Sequence, residues 1–486
     1  MLRQRPPRPS PCASAWRRPL ACPGPGVHSA RADPDPTSNR IIVSKEPSSL
    51  SRRHFLGSST AAFAAVPLLG STARAGEGTE AESIPVKARN DEELRIGLVG
   101  CGGRGAGAAV QALSTEGPVR LVAMADAFSD RLEGTLAHVQ QSAPERVDVP
   151  QERRFVGFDA YRELCALDLD LVILATPPGF RPLHFEHAIE RGLHVFMEKP
   201  VAVDGPGVRM VLAAAAEAKR KGLNVGVGLQ RHHDARYIET VDRLHQGAIG
   251  DIVLLRSYWN SGGVWVRPRE AGQSEMEYQM RNWYYFNWLC GDHIVEQHIH
   301  NLDVANWVMN DYPIEAQGQG GRQVRTGPDH GEIFDHHMVE YTYASGAKLL
   351  SQCRHVPGAW SSVSEHAHGT LGTANIGAGR IEGRGGWSWR WRGDVPNAYQ
   401  VEHDRLFAAI REGRTHLEAE NGAMATMTAI LGRMATYSGK VVKMQDALAS
   451  ELALVPAAYA WDAAPPSLPD EAGHYPIPTP GKTTAL

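Results

Sequence analysis

A carboxylate and an imidazole stand four residues apart in the segment Gly291–Met309, whose residue pattern predicts a single helix. Asp292, Glu296, His300 and Asp303 follow one another at intervals of 4, 4 and 3 and would share one helical face. A carboxylate one turn from a histidine can orient the ring and raise its basicity, as proton removal from an alcohol requires. The spacing therefore predicts proton transfer by Glu296 and His300.

Two other interpretations of this helix stay open, a solvated charged face and a metal site. Metal binding is disfavoured because His298 and His300 are two residues apart and diverge on a helix. No pair of histidines with the HExxH spacing occurs either. We therefore expect no metal ion.

A glycine-rich turn follows a short apolar strand, Leu94 to Val99, and precedes an alanine-rich helix. Its spacing, G-x-G-x-x-G, suits a dinucleotide, because the glycines allow a tight turn, a close approach to pyrophosphate and close strand–helix packing. Asp126 ends the next apolar strand, where its carboxylate can accept from ribose hydroxyls and repel a 2′-phosphate. We expect NAD rather than NADP. The residues that this motif predicts to bind it are Gly100, Gly102, Gly103, Arg104, Gly105 and Asp126.

Strands and helices continue to alternate as far as residue 229, which predicts a doubly wound parallel sheet. Ligands of such sheets bind at the carboxyl ends of the strands. The residues predicted to complete the cofactor site at those ends are Thr176, Pro177, Glu198, Lys199 and Gln230.

Three motifs occur in one order along the chain: the glycine turn, Glu198-Lys199-Pro200, and the run from Gly291 to Asn301. In this the chain resembles the Gfo/Idh/MocA oxidoreductases from Leu94 to its C-terminus. The resemblance implies an α/β protein with an N-terminal Rossmann domain and a C-terminal α/β domain, whose large, mainly antiparallel open sheet often forms dimers or tetramers. It also implies that Lys199 lies beside the nicotinamide and hydrogen-bonds the reacting hydroxyl, with His300 as its partner in proton transfer. Where this chain has Glu296, the family commonly has Asp.

The function expected from these residues is hydride transfer between NAD and a sugar, polyol or related hydroxylated compound. An NAD-dependent glycoside hydrolase that oxidises its sugar transiently is the alternative, and a non-catalytic sugar-binding protein is a third. Candidate substrate residues are Arg231, His232, Trp283, Tyr284 and Tyr285. Trp387, Trp389 and Trp391 alternate along a predicted strand and would either stack on sugar, form a subunit interface or pack on the domain's own helix.

The segment before residue 76 predicts export. Arg52 and Arg53 precede an uncharged apolar stretch that is too short to span a bilayer, followed by Ala73-Arg74-Ala75, as in a twin-arginine signal peptide. We expect a periplasmic protein that meets the twin-arginine machinery and carries tightly bound NAD. The expected divisions are a disordered extension and signal over 1–75, a linker over 76–92, the NAD-binding domain over 93–232, the substrate and oligomerisation domain over 233–455 and a proline-rich tail over 456–486.

Charge and cysteine content exclude several classes of protein. The chain has 50 basic and 54 acidic residues, and from Gly76 onward 39 basic against 51 acidic, a balance that repels nucleic acids. Its six cysteines are widely separated and contain no CxxC pair, so we expect neither a disulfide framework nor a zinc finger.

Overall fold

A six-stranded parallel sheet, ordered β3-β2-β1-β4-β5-β6, forms the first part of the described chain. The computed structural model describes residues 90–486, so the predictions for the extension, the signal and most of the linker lie outside the described residues. The strands are β1 Leu94–Val99, β2 Val119–Asp126, β3 Arg154–Val156, β4 Leu171–Leu174, β5 His194–Met197 and β6 Val225–Val227.

Helices cover both faces of this sheet, because its central strands are apolar on both sides. Asp204 begins the longest of these helices by accepting a hydrogen bond from the amide of Gly207. These helices are α1 Gly103–Leu113, α2 Ser129–Ser142, α3 Ala160–Cys165, α4 Arg181–Glu190 and α5 Gly205–Arg220. The parallel, doubly wound arrangement predicted from the sequence is confirmed.

A nine-stranded open sheet, ordered β14-β13-β12-β11-β7-β10-β9-β8-β15, forms the second part. Only the β7–β10 pair is parallel, so the predicted mainly antiparallel sheet is confirmed. Its strands are β7 Ile252–Ser261, β8 Glu315–Gly321, β9 His336–Thr342, β10 Lys348–His355, β11 Ser362–Gly369, β12 Gly372–Asn375, β13 Arg380–Gly383, β14 Ser388–Arg390 and β15 Val442–Lys443.

One face of this sheet is buried under helices. In β9, for example, His337, Val339 and Tyr341 are buried while the residues between them are not, which is the alternation expected for a half-covered sheet. The helices of this part are α6 Ala235–His245, α7 Glu275–Arg281, α8 Asn287–Cys290, α9 His293–Glu296, α10 Ile299–Met309, α11 Ala398–Glu412, α12 Ala419–Ser438 and α13 Met444–Ala449.

The helix predicted over Gly291–Met309 is broken, and that prediction was wrong. Asp292 has a positive φ of 75° and caps α9, which ends at Glu296, and α10 begins only at Ile299. The break separates Glu296 at the end of α9 from His300 and Asp303 on α10, so the four residues do not form the single helical face that was predicted. Asp292 bonds Tyr437 and Asp303 bonds His232.

Two segments near the C-terminus pack against the part of the chain that contains the parallel sheet. Helix α11 packs Leu406, Phe407 and Ile410 into the same core as β1 and α1. After α13 the chain continues without helix or strand, and its Tyr459 and Trp461 pack on aromatic residues of the first part. Within residues 90–486, every helix falls short of the length and apolarity needed to cross a bilayer.

Candidate active site

The turn after β1 requires glycine at two positions. Gly100 has a φ of 98°, and a Cβ there would lie 2.5 Å from the amide nitrogen of Thr176. A Cβ on Gly105 would lie 2.0 Å from the carbonyl oxygen of Gly100, so only glycine lets α1 approach β1 this closely. These two positions fix the shape of the turn.

The other two glycines of the turn leave space for a ligand. A Cβ at Gly102 or Gly103 would meet no heavy atom of residues 90–486 within 4 Å. Helix α1 begins at Gly103, so its free amide groups and the positive end of its dipole lie beside this space. The cradle therefore fits a pyrophosphate, and it opens into a cavity of about 550 Å³ between the carboxyl ends of the parallel strands and the second sheet.

Asp126 lies at the end of β2 and lines this cavity. Its carboxylate accepts from the amides of Cys101, at 2.6 Å, and Phe128, at 2.9 Å, so it also holds the glycine turn in place. Burial raises the pKa of Asp126, while these two amides oppose the shift. Arg131 lines the cavity as well, and its charge acts on Asp126; the sequence motif gave no indication of this cation.

Lys199 and Glu296 meet across the cavity. The ammonium of Lys199 donates to the carbonyl oxygen of Glu296, at 2.7 Å, and lies 3.4 Å from its carboxylate. Both side chains are about 14% exposed, and both line the cavity. The break after α9 is what frees the carbonyl of Glu296 from the helix and presents it to Lys199.

His300 lies in the first turn of α10 and lines the same cavity. Its ring stacks on Trp259 of β7, with centroids 5.9 Å apart, and its Nδ1 has no hydrogen-bond partner among the described residues. Burial lowers the pKa of His300 well below the usual value, and the nearby cations Lys199 and Arg231 lower it further. The ring is therefore held as a neutral imidazole, and its basicity is lowered, whereas the sequence predicted that it would be raised by Glu296. Glu296 pairs with Lys199 instead.

The structure brings most of the predicted site residues to this one cavity. Those that line it are Gly100, Gly102, Gly103, Arg104, Asp126, Thr176, Pro177, Glu198, Lys199, Trp283, Glu296 and His300. Gly105 lies behind the turn, and Gln230 donates to the hydroxyl of Tyr399 instead of lining the cavity. Tyr399 of α11 does line it, below the guanidinium of Arg104, which also pairs with Glu198.

Four of the five predicted substrate residues are held elsewhere. Arg231 is paired with the buried carboxylate of Glu365. His232 bonds Asp303 at 2.8 Å and stacks on Trp307. Tyr284 and Tyr285 are buried in an aromatic cluster behind Trp283. These side chains were indistinguishable in sequence from pocket residues because their partners come from distant segments.

Other residues at the cavity were missed by the sequence motifs. Trp265 and Arg267 follow β7, Gln297 follows α9, and Met280 and Arg281 lie at the end of α7. Phe128, Phe158 and Phe180 form an aromatic wall, and residues of the tail pack behind it. Trp389 of β14 packs under Arg243 of α6, which supports packing on the domain's own helix, whereas Trp387 is 48% exposed.

Comparison with known families and proteins agrees with this geometry. Residues 94–229 match the model of the oxidoreductase family described as GFO/IDH/MocA, NAD-binding Rossmann fold. Residues 237–375 match the GFO/IDH/MocA C-terminal domain. An inositol 2-dehydrogenase of Saccharopolyspora erythraea is 32% identical over 364 residues, covering 73% of this chain and 97% of the relative. A glycosyl hydrolase family 109 protein of Shewanella putrefaciens is 26% identical, covering 42% of this chain and 44% of the relative.

Two solved structures share the fold. The aldose-aldose oxidoreductase of Caulobacter crescentus, complexed with glycerol, superposes with a TM-score of 0.57 at 18% identity, over 72% of this chain and all of that one. Levoglucosan dehydrogenase, in complex with NADH and levoglucosan, also gives a TM-score of 0.57, at 16% identity, over 73% of this chain and all of that one.

Proposed function

The chain belongs to the Gfo/Idh/MocA family of NAD-binding oxidoreductases, and on that premise we propose that it transfers a hydride between NAD and a hydroxyl-bearing carbon of a sugar, polyol or related compound. The observation that carries this proposal is the meeting of Lys199, Glu296 and His300 at the cavity that contains the glycine cradle. The inositol 2-dehydrogenase relative supports a polyhydroxylated ring as the substrate class.

The residues of the site have separate roles in this reaction. Bound NAD supplies the acceptor for the hydride. The ammonium of Lys199 donates a hydrogen bond to the reacting oxygen, and Glu296 keeps that ammonium in place through its carbonyl oxygen. His300, which burial keeps neutral, is the group placed to take the hydroxyl proton. Stacking on Trp259 holds the imidazole at the cavity.

The test is a substrate panel read in two ways with the full-length enzyme. Reduction of the bound NAD to NADH with inositols or aldoses, in a single turnover or more, supports dehydrogenation, and release of the leaving group from aryl glycosides without net NADH supports hydrolysis. Lys199→Ala and His300→Gln should both lose the observed activity. Turnover unaffected by either substitution would refute the assignment of this cavity.

The glycoside hydrolase alternative rests on the family 109 relative alone. In that reaction Lys199 would again hydrogen-bond the reacting oxygen and His300 would remove the hydroxyl proton, and the hydride would return to the same sugar. The two functions differ only after the oxidation step, so the leaving-group assay separates them.

We also propose NAD rather than NADP, since the carboxylate of Asp126 would meet a 2′-phosphate. The proposed twin-arginine signal and periplasmic location, outside the described residues, favour a cofactor that is loaded before export and retained. Retention needs tight binding: about −12 kcal/mol corresponds to a Kd of 1 nM. Stoichiometric NAD released on denaturing the purified protein is the expected result, and rapid exchange with added NAD would contradict it.

We further propose that the open sheet forms a dimer or tetramer. The face of this sheet away from the helices presents Tyr258, Met338 and Leu350, of which Met338 is 47% exposed. Apolar side chains on an otherwise solvated sheet favour burial by a second copy. Light scattering should give a multiple of the chain mass, reduced to the monomer mass by Met338→Lys with Leu350→Lys.

A further inference from the structure

Three potential metal ligands are buried together behind the active site. Asp292 lies before α9, His293 begins that helix, and His337 comes from β9. One ligand atom from each lies within 4.8 Å of the other two, and all three side chains are fully buried. We propose that Asp292, His293 and His337 bind a divalent transition metal ion, for which zinc is the best chemical match.

The hydrogen bonding of the two imidazoles is incomplete without such an ion. Neither ring nitrogen of His293 has a hydrogen-bond partner in the described part of the chain, although the ring is completely buried. Nε2 of His337 lies 3.2 Å from Asp292 Oδ2 but is not in hydrogen-bond geometry with it. A buried polar group without a partner costs about 1–3 kcal/mol, so the unpaired Nε2 atoms of the two rings need an explanation; one ion could take one nitrogen from each ring.

The ligand atoms are close enough together for a single ion to bridge them after adjustment. Zinc binds imidazole nitrogen and carboxylate oxygen at about 2.0–2.2 Å, which places neighbouring ligand atoms about 3.3–3.5 Å apart. Here the distance is 3.2 Å between His337 Nε2 and Asp292 Oδ2, and 3.8 Å between His293 Nε2 and Asp292 Oδ1. The two distances involve different oxygens of the carboxylate, and the three ligand atoms lie within 4.8 Å of one another, so binding one ion requires the side chains to draw closer together.

Residues around the cluster orient the ligands in the way that metal sites require. Nδ1 of His337 lies 3.0 Å from the hydroxyl of Thr436, which leaves Nε2 for the ion. The hydroxyl of Tyr437 donates to Asp292 at 2.6 Å, and the amide of Phe334 donates to the same oxygen at 3.0 Å. The ligating carboxylate is thus itself hydrogen-bonded.

A fourth imidazole is close to this cluster. The ring of His355 on β10 stacks on His293 with centroids 4.4 Å apart, and its Nδ1 is buried without a partner among residues 90–486. Its Nε2 bonds the side chain of Gln297, which lines the active-site cavity. The ion would therefore fix α9 to the second sheet and position Glu296, the partner of Lys199. The sequence-based expectation of no metal ion came from the spacing of His298 and His300 and the lack of an HExxH pair. It conflicts with this proposal because His337 stands more than 40 residues from the other ligands.

The experiment uses the full chain without a polyhistidine tag, grown with added zinc and dialysed against metal-free buffer. Elemental analysis should find about one zinc per chain. Removal with a strong chelator should lower the Tm, and added Co²⁺ should restore it with the visible absorption of a low-symmetry site. His293→Asn and His337→Gln should each retain less than a tenth of the metal. His336→Gln is the matched control, because this neighbour on β9 has a 41% exposed ring.

Two results would overturn the proposal. One is wild-type protein that holds no stoichiometric metal and gives no cobalt spectrum, which would leave a buried Asp292–His337 ion pair as the whole explanation. The other is metal retained equally by all three variants, which would place the ion elsewhere. Because the cobalt spectrum is read on wild-type protein, the proposal is tested even if the variants do not fold.

Discussion

Two glycines of α1, two residues apart, should respond in opposite ways to the same substitution. A Cβ on Gly105 would lie 2.0 Å from the carbonyl oxygen of Gly100, whereas the nearest atom to a Cβ on Gly107 is the end of the Arg104 side chain, at 3.5 Å. The first distance is about 1.4 Å short of ordinary contact and involves backbone that cannot rotate away. Gly105→Ala should therefore destabilise the protein, and Gly107→Ala should stabilise it.

The magnitudes follow from the kind of contact. Overpacking at a rigid position costs about 1–3 kcal/mol, while alanine in place of glycine inside a helix gains about 1 kcal/mol. At roughly 2.1 cal/mol/K per residue, about 400 residues have an unfolding entropy near 0.8 kcal/mol/K. Gly105→Ala should lower the Tm of the apoprotein by up to about 4 °C, and Gly107→Ala should raise it by about 1 °C.

Cofactor binding gives a second readout. Moving the carbonyl of Gly100 by about 1 Å displaces the cradle. A misplacement of that size can lower a catalytic rate about 100-fold. Calorimetric titration should show NAD affinity at least tenfold weaker in Gly105→Ala and unchanged in Gly107→Ala. A Gly105→Ala protein with wild-type Tm and affinity would show that the strand–helix contact is not as tight as described.

Three further predictions concern the cavity. Lys199→Ala should lower kcat by about 10²–10⁴ with NAD still bound, as loss of a proton-transfer group does; steady-state rates alongside NAD titration check this. Because the pKa of His300 is lowered, the imidazole stays unprotonated to lower pH. The inflection on the acid side of the plot of kcat/KM against pH should therefore lie below about pH 6.5. An inflection above that pH would contradict the prediction. Asp126→Asn should raise the affinity for NADP relative to that for NAD at least tenfold, since the cation Arg131 remains. An unchanged ratio of the two affinities would leave Asp126 with only its role in the turn.

The glycine turn and the parallel sheet could be predicted because their signals are local. Gly100 and Gly105 are fixed by contacts within one strand–turn–helix unit, and the strands are short apolar runs bounded by turns. That Lys199 and His300 lie near each other could be predicted only from the order of the motifs, since about 100 residues separate them.

The break between α9 and α10 could not be predicted in the same way. Residues 291–309 have the periodicity of one helix, and Asp292 leaves it because Tyr437 and His337, from distant elements, bind its carboxylate. Similarly, Arg231 was expected at the substrate and instead neutralises Glu365 in the interior. In both cases a charged side chain binds a buried partner that no local sequence pattern reveals.

The packing of the tail has a consequence for the order of synthesis. Tyr459 and Trp461 lie behind Phe158 and Phe180, so the aromatic wall of the cavity is completed by residues near the C-terminus. The parallel sheet, which ends at Val227, emerges from the ribosome long before them. A polypeptide terminated just before Tyr459 would contain the glycine turn, Lys199 and His300, and would still lack the support of its cofactor wall.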